Sequence, residues 1–157
     1  MDPSFAATIA VRCLLVVLFF PFSALDKILN FKGAVAQARE VAPSGGAATL
    51  FILAGLCVEI LMPLCILTGV ADRLAAFIMA GYCGATALLW KRFWEPGDFW
   101  RPGESKARGL FWDFLKNFSL AGGFLLITFG TGADAVGRFL TDPFGSSHPY
   151  TWTQEGR

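Results

Sequence analysis

Charged residues are scarce in this chain: 16% of its 157 residues are Asp, Glu, Lys or Arg, while 55% are hydrophobic. A soluble domain has about 25% charged and roughly 45–50% apolar residues, so the composition is that of a membrane protein. Histidine is nearly missing. The single one, His148, lies in the tail, which excludes a haem held by two histidines of this chain. The four cysteines, Cys13, Cys57, Cys65 and Cys83, form no C-x-x-C pair. Neither a thioredoxin-like redox motif nor a zinc site is therefore indicated, and each cysteine sits in an apolar run, where the type commonly packs as a small hydrophobe. Net charge is +1 with no dense basic stretch, so nucleic acid is not an expected partner. Iron–sulfur ligands, a nucleotide-binding loop and a repeat of fixed period are also missing.

What the chain has instead is long apolar runs. Four stretches, 6–25, 47–69, 74–90 and 110–130, are long enough to cross a bilayer. They predict an all-α integral membrane four-helix bundle in one domain, with lipid as its surroundings. Arg12 lies inside the first run rather than before it, and no A-x-A site follows cleanly. This stretch therefore reads as a retained span and not as a signal peptide. Pro21 is expected to kink its last turn, and Asp26 and Lys27 to mark the exit from hydrocarbon. Residues 28–42 alternate Ile28, Leu29, Phe31, Val35, Ala38 and Val41 with polar positions, which predicts a short amphipathic helix lying at the interface. Val70-Ala71-Asp72-Arg73 reads as a tight polar turn. Trp90, Phe93, Trp94, Phe99 and Trp100 cluster where the third run ends, as aromatics do at membrane surfaces. The polar tail, 131–157, is expected to be irregular and held by Phe139, Phe144 and Trp152.

The loops after the first and third spans carry Lys27, Lys32, Arg39, Lys91, Arg92, Arg101, Lys106 and Arg108, against Arg73, Arg138 and Arg157 on the other side. Basic residues mark the cytoplasmic side, so both termini are expected outside a bacterial inner membrane.

Polar groups within the runs are the candidates for chemistry. A lone carboxylate at mid-membrane costs several kcal/mol, so Glu59 must be neutral, paired or facing water. Counting along ideal helices puts Glu59 about 15 Å and Arg12 about 9 Å below the same surface. The offset of roughly 6 Å is smaller than that to Lys116, and a guanidinium can grip a carboxylate with two donors. Glu59 is therefore expected to pair with Arg12. Lys116 has Asp113 one turn earlier and Asp26 on its own side, and Asn117 is expected to bridge to another helix. Two roles are open for these groups: fixing helix register, at about 1 kcal/mol per polar contact, or forming a ligand or proton site.

The stretch LKNFSLAGGFLL at 115–126, with FPFSALDKILNF at 20–31, Glu59 in the second span and ADRLAAFIMAGYCGATALLWKRFWE at 71–95, resembles the DoxX family of small four-helix membrane proteins. Two departures stand out: Met62-Pro63 replaces a common Gly pair, and Lys91 stands where a His often precedes Arg-Phe-Trp. The resemblance implies respiratory or sulfur-compound oxidation and quinone-coupled redox reactions. Two functions follow. One is a redox-associated subunit with a bound quinone and no intrinsic cofactor, with Glu59 and Arg12 as catalytic candidates and Lys116, Asn117 and Asp26 as ligand contacts. The other is a non-catalytic accessory subunit packed against other membrane protein subunits. A solute carrier is the weakest reading, because no broken-helix pair or internal repeat is visible. Whether the protein is itself an enzyme is left open by the sequence.

Overall fold

The computed structural model describes residues 3–150. Within them the chain forms α1 (Pro3–Val16), α2 (Phe20–Leu29), α3 (Phe31–Ala38), α4 (Gly45–Thr68), α5 (Asp72–Trp90), α6 (Lys106–Phe129) and α7 (Ala135–Thr141). Four segments are long and apolar enough to cross a membrane: Pro3–Leu29, Gly45–Thr68, Asp72–Trp90 and Lys106–Phe129. The four expected spans are all present, each shifted by a few residues.

Helix α5 lies at the centre, packed against α4 on one side and α6 on the other. Its buried face runs Asp72, Ala76, Met79, Cys83, Ala87, a spacing of three and four that keeps one stripe inward. The alanines matter because lipid offers no hydrophobic drive for helices to associate, so close packing between small residues has to supply it. Phe20 and Phe124 fill the space above that stripe with ring centroids 5.7 Å apart, and Val16, Ile66 and Met79 are fully enclosed. Ser44 caps α4 through the Ala47 N–H, and Ser105 caps α6 through the Arg108 N–H. Gly69 closes α4 with φ 78°. A Cβ there would also meet Pro149 at 3.0 Å, so glycine is required twice over.

Three expectations need correction. Pro21 does not kink the end of one helix; it lies in the first turn of a new one. Lacking an N–H, it cannot bond the carbonyl of Val17 four residues back, and residues 17–19 leave the helix before α2 restarts. The amphipathic stretch 28–42 is divided at Asn30. Ile28 and Leu29 belong to α2, and only Phe31–Ala38 forms the separate helix α3, which packs along α4 and buries Ala38. The tail is not irregular throughout, since it contains α7. Phe139 is buried there against Phe77 and Phe129, at 5.2 and 5.5 Å between centroids, whereas Phe144 is 70% exposed. Trp152 lies outside the described residues.

Candidate functional site

Glu59 is buried in the second half of α4. Pro63 follows it at i+4 and removes the backbone donor that would bond the Glu59 carbonyl. Its carboxylate does not meet Arg12. Instead Lys27 Nζ lies 2.9 Å from Oε1 and 3.0 Å from Oε2, while the Ser23 and Tyr82 hydroxyls each donate to Oε1 at 2.9 Å. Lys27 also donates to Ser23 Oγ at 2.7 Å. Among the described residues Oε1 thus takes three donors and Oε2 one, which leaves acceptor capacity on Oε2.

The expected partner was wrong for a geometric reason. Counted along ideal helices, Asp26 and Lys27 fall at the membrane exit. In the structure Lys27, half-buried on the inward side of α2, turns its Nζ onto the enclosed Glu59 carboxylate. The break at 17–19 turns Ser23 and Lys27, one helical turn apart, toward α4. In the sequence Lys27 reads as a boundary charge, and Ser23 and Tyr82 carry no mark of a site. The available signal was the i,i+4 spacing of Ser23 and Lys27 on the face that buries Phe20 and Ala24.

These side chains border a cavity of about 220 Å³, walled by Phe19, Phe51, Cys83 and Trp90 as well as by Glu59, Tyr82 and Lys27. Gly55 leaves room for the tyrosine: a Cβ there would approach the Tyr82 hydroxyl to 3.3 Å. The site therefore offers an ammonium, a phenol and a carboxylate at one end of an aromatic-lined space.

Arg12 belongs to a second polar cluster. Its Nη2 lies 2.7 Å from Asp72 Oδ2 and 2.8 Å from Ser147 Oγ, and Nη1 donates to the Ile66 carbonyl. Ser147 binds the other side of Asp72 through its N–H at 2.8 Å. Tyr150 donates to the Leu67 carbonyl and stacks edge-on with Phe5. The tight turn expected at 70–73 is present and leads directly into α5 at Asp72, whose side chain is fully buried and paired with Arg12. This cluster ties α1, the α4–α5 turn and the tail together.

The remaining candidates separate. Lys116 pairs with Asp113 at 3.3 Å, as expected, and is 72% exposed. Lys91 joins the same carboxylate at 3.1 Å. Asp26 is exposed and takes part in no ion pair among the described residues. Among the described residues Asn117 makes no hydrogen bond to another helix; its amide donates to the Asp113 carbonyl of its own helix at 2.9 Å. Among the described residues no three His, Cys, Asp or Glu side chains gather as metal ligands.

Four spanning helices around a buried, paired carboxylate define a multi-pass helical membrane protein. The DoxX family model matches residues 7–92, more than half of the chain, and the protein belongs to the DoxX family. The matched stretch contains Arg12, Ser23, Lys27, Glu59, Asp72 and Tyr82, whereas Lys116 and Asn117 lie beyond it. No curated protein and no solved structure matches the chain.

Proposed function

We propose that the protein is a membrane subunit associated with quinone-linked redox chemistry, and that the cavity over Glu59 receives the quinone head group. The observation that carries this is the Lys27–Glu59–Tyr82 cluster at the end of an aromatic-lined cavity. Ligand pockets for drug-sized molecules run to roughly 300–1,000 Å³, so about 220 Å³ suits a single ring. Lys27 and Tyr82 supply donors for a ring carbonyl, and Glu59 supplies an acceptor for a ring hydroxyl. Reducing a quinone takes two electrons and two protons. In this reading the electrons come from a partner protein's cofactor, and the cluster positions the ring and its protons.

The basic residues at the end of the bundle formed by α3 and the α5–α6 loop support a cytoplasmic location for that end in a bacterial inner membrane. Both termini then face outward, and α3 lies near the interface. A second reading, an accessory subunit without its own ligand, is favoured by Trp100, which is 90% exposed on the α5–α6 loop and free to dock on a larger membrane protein.

Purification in mild detergent, with extraction of quinone and identification of co-purifying proteins, tests both. Recovered quinone that is lost in Glu59→Gln supports the head-group site. Partners without quinone favour the accessory reading, and recovery of neither counts against both.

A further inference from the structure

A second concavity, a groove of about 880 Å³, runs between α1 and α6 on the outside of the bundle. Most of its exposed wall is apolar, with Leu15 from α1 and Leu115 and Leu120 from α6, but Asp113, Lys116 and Ser119 of α6 line it as well. Phe19, Lys91 and Asn117 line this groove and also the Glu59 cavity. The two spaces therefore share one wall. Phe19 comes from the break at 17–19, the one interruption in the first span, and is 51% exposed. The polar part of the wall is drawn toward α6: Lys91 is held by the Asp113 carboxylate and Asn117 by the Asp113 carbonyl.

We propose that the groove seats the hydrocarbon tail of the same amphiphile whose ring occupies the Glu59 cavity, with Phe19 as the divider between tail and ring; this rests on the head-group reading above. Polarity is split as such a molecule requires. Ammonium, phenol and carboxylate lie on the inner side; on the outer side the surface is mainly apolar, from Leu15, Leu115, Leu120 and Trp112, with the paired Asp113 and Lys116 at its polar edge. The groove faces the direction from which a membrane-dissolved ligand arrives, and its size lies within the range of ligand sites.

Affinity is a poor test, because a tail moving from lipid to an apolar groove gains no hydrophobic free energy. Position is the better one. The wild-type protein in lipid nanodiscs is incubated with a benzoquinone carrying a photoreactive group along a prenyl tail, irradiated and mapped by peptide. The expected result is labelling concentrated at Leu15, Leu115 and Leu120 and displaced by an excess of tailless benzoquinone. Ser119→Trp, an exposed position lining the groove, should abolish that labelling while the tailless quinone still quenches tryptophan fluorescence. Labelling spread over other lipid-facing residues such as Leu61 and Leu126, or groove labelling that tailless quinone does not displace, overturns the tail seat. If either occurs while tailless quinone still quenches, the head-group reading stands alone. Absence of quenching by any quinone overturns both. The wild-type map decides even if Ser119→Trp fails to fold.

Discussion

Lys27 Nζ lies within 3.0 Å of both carboxylate oxygens of Glu59, and the glutamate side chain is only 1% exposed while the lysine keeps 23%. The pair is therefore asymmetric: the acid is enclosed and depends on the base, while the base is only partly covered. Removing the lysine should hurt more than removing the acid. Lys27→Met is expected to lower stability by about 3 kcal/mol, the low end for a broken buried pair because the lysine is only partly buried. Glu59→Gln should cost less. Adding Glu59→Leu to Lys27→Met should restore the thermal midpoint in detergent, since an apolar replacement of a buried pair is often neutral. It should not restore quinone quenching. A double variant as unstable as Lys27→Met would show that the pair does not carry the effect.

Arg12 and Asp72 form the other buried pair, here with both partners shielded, at 7% and 0% side-chain exposure. Arg12→Met is expected to cost about 3–5 kcal/mol by leaving Asp72 unpaired. Arg12→Lys should also destabilise, because an ammonium cannot span Asp72, Ser147 and the Ile66 carbonyl with one planar fork. In the folded fraction, quinone binding should be unchanged, since this cluster lines no part of the Glu59 cavity. Lost quenching in well-folded Arg12→Lys protein would contradict that separation.

Tyr82→Phe removes one of three donors to Glu59 Oε1. The stability loss should be about 1 kcal/mol, the net worth of one hydrogen bond. Head-group binding should fall about ten-fold, equivalent to about 1.4 kcal/mol. Titrating a short-chain quinone against tryptophan fluorescence gives the ratio, and equal affinities would remove Tyr82 from the head-group contacts.

Asp98 lies outside the spans and accepts from the Ala107 and Lys106 N–H groups at 3.0 and 2.8 Å. These bonds, Ala107's foremost, hold its carboxyl below the ordinary value of 3.8. A lowered folded pKa stabilises the charged, folded form. Its contribution is complete above the unfolded value and is lost as pH falls from about 3.8 through the lower folded value. NMR titration of the Asp98 carboxyl should give a midpoint under 3.8, and Asp98→Asn should abolish that pH dependence at the start of α6. A midpoint at or above 3.8 would show the two bonds to be absent in solution.

By itself the sequence determined the membrane class, four spans and the need of a mid-span Glu59 for compensation. Length, hydropathy and the cost of a buried carboxylate are local quantities, readable one helix at a time. The Lys116–Asp113 pair was legible for the same reason, since i,i+3 neighbours meet on any helix. Partner choice between helices was not legible. It depends on where Pro21 breaks the first span and which way α2 then faces. An ideal-helix depth count contains neither and so joined Glu59 to Arg12. The fold instead placed Lys27, Ser23 and Tyr82 on Glu59 and gave Arg12 to Asp72 and Ser147, because side chains pair by three-dimensional reach and not by depth alone.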